Sequence, residues 1–191
     1  LRSADEAARH PDRLPPGVMG VHRPVAAQVG RLRGLLTLYQ ARRQPQAMLA
    51  QMYRLFLDQN GPVFAGIVRA AADPDGAPLL LHCAIGKDRT GLAVALLLLT
   101  LGVPEETVVA DYTLSNHASE AMGRWMWPEM ARLNAYGLDQ ARLRPVLLAE
   151  ARTMAGALAH LRRRYGSLEG YWRQAGLDQA TLDGARANLL V

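Results

Sequence analysis

An α/β domain whose C-terminal half is helical is the architecture that this sequence predicts, and three stretches predict it. Pro78-Leu79-Leu80-Leu81-His82 is a short run, mostly apolar, after the turn signal Asp73-Pro74-Asp75-Gly76, which is the form of a buried central strand. Leu92 to Leu101 is an apolar run of helix length, stopped by Gly102 and Pro104. From residue 117 onward every stretch has helical spacing.

Taken in order, residues 1 to 16 are polar and Pro-containing and read as loop. Val18 to Val25 has the composition of a short edge strand interrupted by Pro24. Gln28 to Tyr39 is helix-like or irregular, weakened by Gly30 and Gly34. Between Gln46 and Gln59, Met48, Met52, Leu55 and Phe56 recur at helical spacing until Gly61-Pro62, and Val63 to Ala72 reads as a second helix. After the central strand and the Leu92 run comes a helix over Glu105 to Ser115, with two acids in its first turn. The remaining helices are expected over His117 to Ala135, Arg144 to Tyr165, Ser167 to Ala175 and Asp178 to Leu190. Trp125, Met126, Trp127 and Met130 read as the core side of the first of these, and Arg162-Arg163-Arg164 as the cationic end of the second. No repeat or linker interrupts the chain, so residues 1–191 are read as one domain.

The chain has 191 residues, 50% of them hydrophobic, which is enough for a well-buried core. Its Leu92 to Leu101 run has about half the roughly 20 residues that a membrane-spanning helix needs. One Cys rules out an intramolecular disulfide, and with scattered His residues it offers no zinc-ligand spacing. The chain opens on Leu1 and a polar stretch, as the interior of a longer protein would, so the compartment stays open between cytoplasm and secretion. A net charge of +5 suits an anionic substrate, a membrane surface or nucleic acid. Every basic residue is Arg except Lys87, which sits between Cys83 and Arg89. A compact ammonium there is not equivalent to another guanidinium.

The chemistry concentrates in His82-Cys83-Ala84-Ile85-Gly86-Lys87-Asp88-Arg89-Thr90-Gly91. A nucleophile between a strand and a helix N-terminus gains a nest of backbone N–H groups, unobstructed at Ala84 and Gly86. It gains the positive end of the following helix. It also gains Arg89, whose fork can bind two phosphate oxygens. These fields lower a thiol pKa from about 8.5 toward about 3.5–7.5. The extra thiolate is worth only about tenfold at neutral pH, so clamping of the transition state is the larger effect.

This segment resembles the Cys-x5-Arg signature of the cysteine-dependent protein tyrosine phosphatase superfamily. With Gly86-Lys87-Asp88-Arg89-Thr90-Gly91 in place it is most similar to the bacterial tyrosine phosphatases related to lipid phosphatases. Asp111 to Asn116, Tyr165-Gly166-Ser167 with Tyr171-Trp172, and Arg2-Ser3 with Glu6 look like further stretches of that family. The resemblance implies a central sheet flanked by helices, with N-terminal sheet strands of a typical member missing here, and a helical lid over 117–143. It implies a phosphomonoesterase without cofactor or metal, acting on phosphotyrosine proteins and extending to phosphoserine/threonine or phosphoinositides, with nucleic acid not a partner. Cys83 would attack phosphorus and form a phosphocysteine. Arg89 and the backbone of Ala84, Ile85, Gly86 and Lys87 would hold the equatorial oxygens. Thr90 would assist thiolate release, and His82 would orient the loop. Asp88 is either the general acid or a loop-stabilising, substrate-contacting residue, and Lys87 would attract further phosphates or an acidic peptide. The alternative is a phosphate-binding module of the same fold without turnover. A nucleotide-binding Gly-x4-Gly-Lys-Ser/Thr loop is absent, and Arg at the sixth position after Cys83 fits phosphate better than sulfur transfer.

Overall fold

The computed structural model describes residues 1–30 and 43–190, so most of the stretch Gln28 to Tyr39 lies outside the described residues. The helices are α1 (Ala4–Arg9), α2 (Pro45–Gln59), α3 (Gly61–Ala72), α4 (Asp88–Thr100) and α5 (Glu105–Thr113). After a 3₁₀ segment, Leu114–Ala118, come α6 (Ser119–Met130), a second 3₁₀ segment, Ala131–Tyr136, and α7 (Gln140–Leu147). The chain then forms α8 (Ala151–Tyr165), α9 (Leu168–Gln174) and α10 (Gln179–Leu189). No helix among the described residues is long and apolar enough to cross a membrane.

The expected central sheet is not present among the described residues, none of which is in a β-strand. A strand persists only where a neighbouring backbone offers it a hydrogen-bonded ladder. Residues 78–82 form no such ladder here: the Leu1 amino group donates to the His82 carbonyl at 2.9 Å, and Leu80 is 85% exposed. Val18 to Val25 is likewise irregular. Just beyond it, side-chain amides take the place of a neighbouring strand. Asn60 pairs with both the N–H and the carbonyl of Ala26, at 3.1 and 2.9 Å, and Gln59 does the same at Gln28, at 2.7 and 3.1 Å.

Residues 1 to 16 are not all loop. Ser3-Ala4-Asp5-Glu6 forms a capping box that starts α1: Ser3 Oγ accepts from the Glu6 N–H, and the Glu6 carboxylate accepts from the Ser3 N–H. The long helix expected from Arg144 to Tyr165 is two helices. Pro145 lies within α7, and Leu148 and Glu150 take extended backbone angles before α8 begins. Gly61-Pro62 does not simply end α2; it opens α3, with Pro in the first turn where its missing N–H is harmless.

Helix α4 runs through the core, burying Leu92, Ala93, Ala95 and Leu96. Its neighbours are α2, α3 and α5. Gly91 permits the contact with α5, because a Cβ there would lie 2.9 Å from the Tyr112 ring. At the far end of α4, the Trp172 indole N–H donates to Thr100 Oγ1 at 2.9 Å and Arg186 Nε donates to the Thr100 carbonyl at 2.8 Å. The C-terminal helices thus fasten the end of α4 remote from Cys83. On α6, Met122 and Met126 are buried one turn apart, but Trp125 is 44% exposed and meets the His10 ring edge-on. In the basic run, Arg162 pairs with Glu105 and Arg164 with Asp58.

Candidate active site

Residues 83–91 wrap from the irregular 78–82 segment onto the first turn of α4, so the loop and the helix N-terminus converge on one sulfur. Gly86 sits at φ +80°, a left-handed angle that reverses the loop and that L side chains resist. That turn aims the Gly86 N–H at Cys83 Sγ, 3.2 Å away. Cys83 is buried. Burial pushes its thiol up, but hydrogen bonds from the Thr90 hydroxyl and backbone, the Ile85 backbone and the charge of Arg89 outweigh this and hold it below its ordinary value. Thr90 Oγ1 is itself buried and lacks a partner of full hydrogen-bond geometry among the described residues.

Arg89 is gripped from behind. Its two terminal nitrogens donate to the two Glu6 oxygens at 2.5 and 2.8 Å. Two of the five guanidinium N–H donors are spent in that fork, and Arg89 makes no further hydrogen bond among the described residues. The Arg89 hydrogen bond drives the Glu6 carboxyl down to about 2, although burial opposes it. Because Glu6 is also the third residue of α1 and closes its capping box, one carboxylate both starts α1 and fixes the clamp. His82, half-exposed, places Nδ1 3.2 Å from the Cys83 carbonyl and Nε2 3.5 Å from Asp12.

Lys87 faces inward, opposite to the expectation that it would meet further phosphates. It is 1% exposed, with its ammonium 2.7 Å from Asp88 Oδ1 and 2.9 Å from the Val146 carbonyl in the last turn of α7. The Tyr53 hydroxyl donates to the same Asp88 oxygen at 2.9 Å and lies 2.7 Å from the Tyr112 hydroxyl. Tyr53 has one proton, and Asp88 receives it, so Tyr112 is the donor between the two phenols. Burial first, then the neighbouring Asp88 charge, raises the Tyr53 pKa far enough that it stays a donor at any ordinary pH. Below the loop, Asn116 exchanges two hydrogen bonds with the backbone of Ala149, at 2.7 and 3.1 Å, closing the base of the 117–148 excursion.

The structure therefore gathers the Ile85 and Gly86 backbone, Arg89 and Thr90 around the Cys83 sulfur, with Ala84 in the same loop, while Asp88 Oδ1 is held by Tyr53 and the buried Lys87. Glu6, Tyr53, Tyr112 and Asn116 were not singled out as site residues. The Ser-x-x-Glu capping pattern could have found Glu6 as a helix-start residue. Nothing local marks the tyrosines, since Tyr53 lies on the same buried stripe as Leu49, Phe56 and Leu57.

A family model described as "Tyrosine phosphatase family" matches residues 1–191. The chain is similar to the "Triple specificity protein phosphatase PtpB" of Mycobacterium tuberculosis, with 37% identity over 147 residues, 72% of this chain and 53% of that protein. It is also similar to a "Tyrosine-protein phosphatase" of Nostoc commune, with 31% identity over 199 residues, 99% of this chain and 64% of that protein. The chain thus spans between half and two thirds of the length of these curated relatives.

Proposed function

The chain belongs to the tyrosine phosphatase family, and from that premise we propose that it hydrolyses phosphomonoesters through a phosphocysteine at Cys83. The observation that carries the proposal is the convergence on one sulfur of the Gly86 N–H, the Thr90 hydroxyl and a guanidinium already oriented by Glu6.

Cys83 thiolate attacks phosphorus in line with the ester oxygen; the S–P bond forms as the P–O bond breaks, and the leaving oxygen takes the electron pair. The free N–H groups of Arg89 and the loop backbone hold the three equatorial oxygens. Preorganised donors of this kind are each worth roughly 10²–10³ in rate. Asp88 gives a proton to the leaving oxygen. Water then attacks the phosphocysteine: the new P–O bond forms as the S–P bond breaks, the ionised Asp88 takes a proton from the water, and Thr90 donates to the departing sulfur. Charge on the transferring group is met by Arg89 and the loop, so no step calls for a metal.

Phosphotyrosine in proteins is the first substrate class in this reading, with phosphoserine/threonine or phosphoinositides beside it. The name of the Mycobacterium relative, a triple-specificity phosphatase, supports that breadth. The 117–143 segment is read as a lid, supported by its closed base at Asn116–Ala149 and by the exposed Trp125 against His10.

The test is hydrolysis of p-nitrophenyl phosphate in EDTA by wild type and Cys83→Ser. Turnover that falls by several orders of magnitude in the variant is expected. A folded wild type that binds phosphate or a phosphopeptide without turning it over supports a binding module instead.

A further inference from the structure

Asp88 is an acid whose two oxygens are not equivalent. Oδ1 accepts from the Tyr53 hydroxyl at 2.9 Å and from the Lys87 ammonium at 2.7 Å. An oxygen already receiving two donors has no room for a proton of its own, so a protonated Asp88 carries its hydrogen on Oδ2. Both donors are rigidly held. Tyr53 is fully buried on α2 and backed by Tyr112 from α5, while Lys87 is buried and tied to the Val146 carbonyl of α7. That carbonyl is among the last of its helix, where an ammonium suits both the unpaired acceptor and the helix dipole. Three helices distant in sequence therefore converge on one carboxylate oxygen.

We propose that Tyr53 and Lys87 are positioning residues for the reaction. They fix Asp88 through Oδ1 and leave Oδ2 to carry the proton that the leaving group takes. Lys87 acts from behind the loop and touches no substrate phosphate. The proposal rests on the phosphomonoesterase reading above. In the step concerned, the Asp88 Oδ2–H bond breaks as the ester P–O bond breaks, and the proton passes to the leaving oxygen. Asp88 is left ionised, facing two donors that were in place beforehand. No reorganisation of Tyr53 or Lys87 accompanies the transfer, which is how fixed donors reduce a barrier.

Leaving-group dependence separates this role from a merely structural one. A phenolate as poor as that of phenyl phosphate needs the proton; p-nitrophenolate needs it far less. Wild type is assayed first on both esters, with Cys83→Ser as the control for the parent reading. Tyr53→Phe and Lys87→Met are then compared with it, with thermal unfolding of each. The expected result is a fall in kcat/KM, which reports the step that expels the leaving group, of about tenfold or more on phenyl phosphate, part of the roughly 10²–10⁴ that general acid catalysis supplies. On p-nitrophenyl phosphate the fall in kcat/KM is expected to be several times smaller, with the inhibition constant of inorganic phosphate within about twofold throughout. Should Tyr53→Phe fail to fold, Tyr112→Phe takes its place, with a smaller loss of the same leaving-group pattern. Equal losses on both esters would overturn the positioning role while leaving the phosphatase reading intact. A rise in that inhibition constant for Lys87→Met would place that ammonium on the substrate and overturn its half of the proposal. Absence of Cys83-dependent turnover in wild type would bring down the parent reading, and this one with it.

Discussion

Glu6 and Arg89, 83 residues apart in sequence, are joined by a two-pronged fork with oxygen–nitrogen distances of 2.5 and 2.8 Å. The fork ties the first helix of the chain to the N-terminus of the core helix, so the clamp's aim depends on α1 being folded. Glu6→Gln is expected to lower kcat/KM on an aryl phosphate by up to about a hundredfold, less than loss of the Arg89 contact itself. It should also change the acid limb of stability. The Glu6 carboxyl titrates at about 2 rather than at its usual 4.5. A depressed carboxylate stabilises the fold fully above its unfolded pKa, and that stability is lost as pH falls through the folded value. The gap between wild type and Glu6→Gln should therefore be widest above pH 4.5 and close as pH falls toward 2. Denaturant midpoints measured across that window check it.

Thr90 bears on the Cys83 titration. The thiol lies below its ordinary value because Thr90, Ile85 and Arg89 outweigh the upward push of burial. Thr90→Val removes the hydroxyl and keeps the volume, so the Cys83 pKa should rise. With one cysteine in the chain, ultraviolet thiolate absorbance against pH reports that group alone. An unchanged titration in Thr90→Val would show that the hydroxyl does not reach the sulfur.

Much of the site was legible because its parts are contiguous. Cys83 to Gly91 carries nucleophile, loop, clamp and helix start in one stretch, and helices α2 to α5 follow from spacing and from Gly and Pro signals. What was not legible depends on contacts between distant segments. An apolar run such as 78–82 shows a capacity for strand formation, but whether a ladder forms depends on what lies beside it. Lys87 was expected to meet further phosphates or an acidic peptide because it lies in the loop between Cys83 and Arg89; its burial depends on a carbonyl near residue 146 that no local pattern announces. Tyr53 reads as core from its spacing, and it is core, but its hydroxyl also needs a partner, and that requirement brings it to Asp88.

The close approach of α5 to α4 gives a further expectation. A methyl at position 91 would lie 2.9 Å from the Tyr112 ring, so Gly91→Ala must push that ring aside. A destabilisation of about 1–3 kcal/mol is expected from such overpacking. The displaced Tyr112 should also loosen its hold on Tyr53. Chemical denaturation of the variant checks the first effect, and the ratio of kcat/KM on the two aryl esters checks the second.

Far from the sulfur, Thr100→Val should strand the buried Trp172 indole N–H that now donates to it at 2.9 Å. Leaving such a donor unpaired costs about 1–3 kcal/mol. The rate per folded molecule on an aryl phosphate should not change, since Thr100 ends the helix that the site begins. Denaturation and kinetics on the same preparation separate the two quantities.

The covalent intermediate is the central claim, and rapid quenching followed by peptide mass measurement tests it most directly. Wild type quenched in acid during turnover of an aryl phosphate should yield a Cys83-containing peptide heavier by one phosphoryl group, absent from Cys83→Ser. Brisk turnover with that peptide unmodified at every quench time, and with Cys83→Ser still active, would contradict the account and move the nucleophile away from the sulfur.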